Sequence, residues 1–212
     1  MRQTAANRGL GAEATRKELL DSVEQLFFED GHAGVSYRVV AAKAGVTPGL
    51  VQYYFPTIDS LFAAMIGRLI QRDIDRWDDG LTRRPDAPLR VLWEYSWSEA
   101  KGALGTEMMA LGVRRPSLLT QISEGTERIR KAQLRALEKK YGDFTFLDDV
   151  FPPDAMVLLI TSIPKVLTLE DGVHVTMAHR SLIKAFEHYL DTIEPKPRAR
   201  RVKSSARKGG NP

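Results

Sequence analysis

Four histidines, His32, His174, His179 and His188, are the first places to look for acid–base or metal chemistry, and the chain has no cysteine. Two imidazoles grip one metal from a helix when they stand four residues apart. His174 and His179 are five apart, and His188 with Asp191 is a local pair at a helix end. Without cysteine there is no thiolate ligand, disulfide or thiol nucleophile. The sequence has no HExxH, no GxSxG, no phosphate-binding glycine loop and no dinucleotide fingerprint. These absences argue against an enzyme and give no reason to expect a metal or cofactor. A different chemistry is concentrated between Gly31 and Leu61. Gln52, Tyr53 and Tyr54 offer an amide, hydroxyls and aromatic rings. Such groups meet phosphates, base edges and thymine methyls on DNA. Gly31–Pro56 holds Arg38 and Lys43 and no acid, whereas Glu18, Asp21, Glu24, Glu29 and Asp30 all precede it.

The elements that must position these groups are short helices. Leu19, Leu20, Val23, Leu26 and Phe27 recur at helical spacing from a start near Thr15, and Gly31 ends that helix. Ser36 can cap a second helix carrying Val39, Val40, Ala41 and Ala44. Ala44-Gly45-Val46 makes a tight turn, Thr47 caps a third helix, and Pro48 occupies its first position, where a missing N–H costs nothing. Phe55-Pro56 closes it. Two helices joined by a glycine turn form a helix-turn-helix, in which the first braces the second and the second enters a major groove. Small Ala41, Ala42 and Ala44 permit close approach, and Val40, Val46 and Val51 supply the shared core. Such a pair alone also describes many buried helical hairpins. Tyr54 and Phe55 suit packing as well as contact, and Lys43 reads as a solvated charge.

The full string GHAGVSYRVVAAKAGVTPGLVQYYFPTIDSLFAAMI resembles the DNA-binding signature of the TetR family of transcriptional regulators. The resemblance covers about residues 14–66. It is carried by Gly31, Ser36, Arg38, Ala41, Ala44-Gly45-Val46, Gly49, Tyr54-Phe55 and Leu61. It implies an all-α fold, with an N-terminal three-helix DNA-binding domain and a larger C-terminal helical domain for ligand binding and dimerisation. It also implies a homodimer that places two recognition helices in successive major grooves of an operator. Thr47, Pro48, Gly49, Leu50, Gln52, Tyr53 and Tyr54 fall on recognition-helix positions, and Arg38 on a DNA-touching position of the preceding helix. Thr57 falls where a backbone N–H and hydroxyl meet phosphate. Two departures stand out. Ile58 sits where the family often has a phosphate-binding lysine, and Leu50 and Pro48 replace polar or basic residues. Readout by apolar and aromatic contacts is expected, with arm or tail cations adding salt-dependent affinity.

The expected division is a flexible arm at 1–13, the helix-turn-helix domain at 14–56 and a connecting helix at 57–79. An effector-binding and dimerisation domain at 80–194 follows, then a disordered basic tail at 195–212. Leu61, Phe62, Met65, Ile66, Leu69, Ile70, Ile74 and Trp77 give the connecting helix its apolar stripe, and GLTRRPDAP reads as a linker. Further helices are expected at 89–103, 106–114, 116–140, 154–169 and 173–192. The last two carry much apolar surface, and Val157, Ile160, Ile183, Phe186, Tyr189 and Leu190 are expected at a dimer interface. Trp93, Trp97, Met108, Met109, Ile122, Thr126, Thr161 and Ser162 are the candidates for a mostly apolar ligand cavity, though such stripes also serve as plain core. Glu107, Arg114 and Arg115 would join them only by pointing inward.

Charge adds little to the DNA reading. The net charge of +4 arises from the tail, where Pro195–Pro212 holds seven Lys or Arg and no acid. The first 194 residues carry 24 basic and 27 acidic groups. No segment has the apolar length to span a bilayer, and residues 1–18 lack a signal-peptide core, so a cytoplasmic location is expected. The resulting expectation is a repressor released from a palindromic operator by a small, largely apolar ligand. Two alternatives stay open: a ligand-independent DNA-binding activator, and a helical ligand- or partner-binding protein whose head no longer reads DNA.

Overall fold

The computed structural model describes residues 2–101 and 104–195. The described residues form nine α-helices: α1 (Arg2–Asp30), α2 (Tyr37–Ala44), α3 (Pro48–Tyr54), α4 (Ile58–Arg83), α5 (Pro88–Lys101), α6 (Leu104–Arg114), α7 (Pro116–Tyr141), α8 (Pro153–Asp171) and α9 (His179–Ile193). One isolated β-bridge, Phe146 to Phe151, is the sole extended pairing among them.

Two apolar cores are strung along α4. The first gathers Leu19, Val23 and Phe27 of α1, Val40 of α2, Val51 of α3, and Leu61 to Ile70 of α4. Met108, Leu111, Leu118 and Ile122 of α6 and α7 join it, so this core reaches well beyond the first three helices. The second surrounds Trp77 with Leu89, Leu92, Phe146, Met156, Val157, Ile160, Phe186 and Leu190. Helices α4 and α7 pack closely because Gly125 lets Ile70 in. A Cβ at Gly125 would lie 2.2 Å from Ile70 Cδ1, far inside van der Waals contact.

The end of α9 is tied back to the start of α5. The buried Glu194 carboxylate accepts from the backbone N–H groups of Leu89 and Arg90, each at 2.8 Å. It thereby satisfies donors that a helix start leaves free. Tyr141 donates to the same carboxylate at 2.5 Å, and Arg90 pairs with Asp191.

Three boundaries differ from expectation. Helix α1 begins at Arg2, not near Thr15, and so occupies the stretch expected as an arm; alanines at 5, 6, 12 and 14 favour helix there. Helix α4 runs through Gly80 to Arg83, shortening the expected linker. Gly80 acts as a packing glycine: a Cβ there would lie 2.5 Å from the Tyr95 hydroxyl. Helix α9 begins at His179, not 173, because His174 and Ala178 take left-handed backbone (φ 64° and 67°) and break the preceding turn. Pro164 is accommodated inside α8, at the cost of one backbone hydrogen bond. The basic tail beyond Pro195 lies outside the described residues.

Candidate nucleic-acid interface

The geometry of the head follows from its caps. Ser36 Oγ accepts from Val39 N–H at 3.4 Å and starts α2. Gly45 ends it with φ 68°, a left-handed conformation that glycine adopts without a Cβ penalty. Val46 N–H then returns to Ala41 C=O at 2.9 Å, which reverses the chain within two residues. Thr47 Oγ1 accepts from Leu50 N–H at 3.4 Å, and Pro48 opens α3. Val40 and Val51 are each 0% exposed where the two helices meet. The far end of α3 is held by Tyr37, whose hydroxyl donates to Phe55 C=O at 2.7 Å. Phe55 is buried in the core, and the Arg16 guanidinium lies over its ring at 5.2 Å.

This bracing sorts the expected contact residues. Arg38, Thr47, Pro48, Gly49, Gln52, Tyr53 and Thr57 are exposed, while Leu50 and Tyr54 are half-buried. Tyr53 projects furthest, at 79% exposure. Its ring meets Tyr54 edge-on at 5.4 Å, and Tyr54 packs against the first core. Tyr54 therefore serves as a wall for its neighbour. Arg38 has no ion-pair partner among the described residues. Lys43, expected as a solvated charge, pairs with Glu29 at 2.7 Å and ties α2 to α1. Arg16, which the sequence did not single out, stands exposed beside the α3–α4 corner.

The start of α4 is more committed than expected. Thr57 and Ser60 form a reciprocal capping box, with Thr57 N–H donating to Ser60 Oγ at 3.1 Å and Ser60 N–H to Thr57 Oγ1 at 3.0 Å. The N–H groups without an intrahelical acceptor are those of Ile58 and Asp59. Ile58 is half-buried against the core. The Asp59 carboxylate is held by Ser117 and Arg115, each at 2.5 Å. Those hydrogen bonds, Ser117's first and Arg115's next, draw its pKa below the usual carboxylate value. Arg115 also lies over the Phe62 ring at 5.1 Å, and Glu107 approaches His32 at 3.6 Å. Glu107 and Arg115 thus turn toward the head, not into a ligand cavity. Arg68 spans Asp21 and Glu24 from α4, and Arg72 joins Glu24 at 3.0 Å.

The expected cavity residues do not come together. Met108 and Ile122 belong to the first core, and Met109 is 46% exposed. Trp93 is buried, stacked on Phe186 at 4.8 Å and edge-on to Trp97. Thr126 and Thr161 hydroxyls donate to carbonyls of their own helices, Ile122 and Val157, and Ser162 is half-buried. Of the eight, Trp97 alone lines the open groove of about 640 Å³ between α5, α8 and α9, with Leu167, Thr168, Thr176, His179 and Ile183. The expected dimer residues are corrected more sharply. Val157, Ile160, Phe186 and Leu190 are buried in the chain's own second core. Ile183 is half-buried, and the half-buried Tyr189 hydroxyl accepts from Leu147 N–H at 3.0 Å. The outward apolar stripe is instead Leu158, Val166 and Leu169 on α8 with Leu182 on α9. A pattern of apolar residues shows that a helix is amphipathic, but not which of two apolar faces its own chain covers.

Comparison with known proteins agrees with this geometry. Residues 19–65 match the family model described as bacterial regulatory proteins, tetR family. The N-terminal module is thus similar to a TetR-family head over the matched residues. The chain as a whole has the TetR-like fold, with a helix-turn-helix head on a helical body. A TetR transcription regulator from Haloarcula marismortui superposes with a TM-score of 0.63 at 17% identity, covering 85% of this chain and 98% of its own. A transcriptional regulator from Rhodococcus sp. Rha1 gives 0.64 at 22% identity, covering 84% and 95%. A multidrug binding protein, EbrR, complexed with imidazole gives 0.56 at 22% identity, covering 87% and 97%. No curated protein matches the sequence. No helix among the described residues is long and apolar enough to cross a membrane.

Proposed function

We propose that this chain is a cytoplasmic, sequence-specific DNA-binding transcriptional repressor, working as a homodimer and released from a palindromic operator by a small, largely apolar ligand. The observation that carries the reading is the exposed face of Arg38, Gln52 and Tyr53 on helices fixed by caps, buried valines and the Tyr37–Phe55 hydrogen bond. A rigid reading helix loses little freedom on binding, so its contacts count toward affinity. The unpartnered stripe of Leu158, Val166, Leu169 and Leu182 supports pairing through α8 and α9. The grip of Arg115 and Ser117 on Asp59 supports coupling, because it joins the α6–α7 corner to the helix that follows the reading helix. The likeness to a multidrug binding protein supports a small-molecule effector. Coupling of that kind is reciprocal: operator DNA must weaken the ligand by the same factor that the ligand weakens DNA.

The test is gel-shift titration of the full chain against its own upstream DNA at fixed salt. Specific binding is expected, weakened in Arg38→Ala, whose loss should also lower the salt dependence. Unchanged specific binding in both Arg38→Ala and Tyr53→Ala would refute the assignment of the reading face.

A further inference from the structure

Neither DNA reading nor core packing accounts for a group of polar atoms deep in the helical body. Trp77 Nε1 on α4 and Ser96 Oγ and Glu99 Oε1 on α5 are buried without a hydrogen bond of good geometry, although the Trp77 N–H lies near enough to Glu99 to favour its ionised form. Trp77 and Ser96 are 0% exposed. Folded proteins leave few such atoms, and each asks for a cause. Ser96 and Glu99 stand three residues apart, on one face of α5, and Asp73 lies one turn before Trp77 on α4. Asp73 and Glu99 are half-buried, and their carboxyls interact with each other.

Neither the Asp73 nor the Glu99 carboxyl is held in an ion pair among the described residues, although Arg76 and Lys165 favour the ionised form of both. Burial, and then the neighbouring Asp73, push the Glu99 carboxyl up to about 7, against Lys165, Arg76 and Trp77. Burial raises Asp73 as well, against Arg76, Arg72 and Lys165. Arg76 is occupied over the Tyr95 ring at 4.8 Å, Arg72 pairs with Glu24, and Lys165 stands exposed on α8.

We propose that this buried polar group between α4 and α5 is the recognition point for the effector, and that it takes a primary ammonium group carried on an apolar body. The proposal rests on the reading of the chain as a ligand-controlled regulator and names the chemistry of that ligand. An ammonium brings three N–H donors. Glu99 Oε1, Ser96 Oγ and the Asp73 carboxylate accept them. Glu99, once ionised, has lone pairs left for the Trp77 N–H. The indole of Trp77 and the ring of Tyr95, 5.3 Å apart, offer an apolar wall. An anion meets two carboxyls there. A metal is disfavoured, since no group of three or more His, Asp or Glu suited to an ion occurs among the described residues. At pH 6 a bound ammonium displaces the Glu99 proton, so binding releases protons into the buffer.

The experiment is calorimetric titration of the full chain with methylammonium, benzylammonium and phenethylammonium, each beside its alcohol, at pH 6 and in two buffers of different ionisation enthalpy. At least one ammonium is expected to bind at least tenfold more tightly than its alcohol, with net proton release. Glu99→Gln should lose at least tenfold for that ammonium and lose the proton release, while keeping operator binding and melting no lower than the parent. Ser96→Ala should weaken the ammonium with proton release intact. The proposal is overturned if each alcohol equals its ammonium, if no ammonium binds saturably, or if Glu99→Gln leaves affinity and proton release unchanged. Operator binding by the same sample separates the two readings. A chain that binds DNA but no ammonium loses this inference alone, and one that binds no specific DNA loses the regulator reading itself.

Discussion

Tyr53→Ala separates reading DNA from building the fold. The side chain is 79% exposed, and its one ring contact among the described residues, Tyr54 at 5.4 Å, is itself at the surface of the core. Aromatic pairs contribute roughly 0.5–1.5 kcal/mol when buried, so at this exposure the loss of stability should stay below about 1 kcal/mol. In a chain of this size that moves the melting temperature by no more than roughly 4 °C. Operator affinity should respond differently. A base or methyl contact worth about 1 kcal/mol is removed from each of two heads, and about 2 kcal/mol corresponds to roughly a 30-fold weaker Kd. Tyrosine carries no charge, so the slope of log K against log salt should stay unchanged. The assays are thermal unfolding and fluorescence-anisotropy titration of operator DNA at several salt concentrations. An affinity within twofold of the parent, a salt slope altered by a full unit, or a melting temperature lowered by more than about 6 °C would each refute the assignment.

Three further outcomes follow from the packing and the charges. Gly125→Ala places a methyl where Ile70 already sits, and overpacking of this kind costs about 1–3 kcal/mol, read from the urea midpoint. Asp59→Asn should leave a chain whose stability varies less with acid. The folded Asp59 pKa lies below its unfolded value of 3.8, so its contribution is present above that value and disappears as pH falls through the folded pKa. The two proteins should therefore differ at pH 7 and converge once acid protonates the folded Asp59 carboxylate, by urea titration at each pH. Glu99→Gln carries the opposite sign. With a folded pKa of about 7 against 4.5 unfolded, the native state holds the extra proton, and parent stability declines as pH rises from about 4.5 to 7. The variant should lack that decline, worth up to about 3 kcal/mol, and gain on the parent by pH 8.

The sequence by itself determined the head. Ser36, Gly45, Thr47 and Pro48 act on backbone within a few residues of themselves, so their types and order specify two capped helices and the turn between them. Apolar spacing likewise marked α4 as a long amphipathic helix. Tertiary structure decided which apolar face of α8 and α9 turns inward, and so moved Val157, Ile160, Phe186 and Leu190 from an expected interface into the core. It also divided the expected cavity residues between two cores. Gly80 reads as a turn residue until Tyr95 is seen where its side chain would be. Asp59 finds Arg115 and Ser117 across more than fifty residues, and Asp73 and Trp77 find Glu99 across a helix boundary. Such meetings depend on how helices cross, which periodicity along one helix does not encode. Local chemistry therefore specified the part proposed to touch DNA, whereas the part proposed to sense a ligand exists only once the helices have packed.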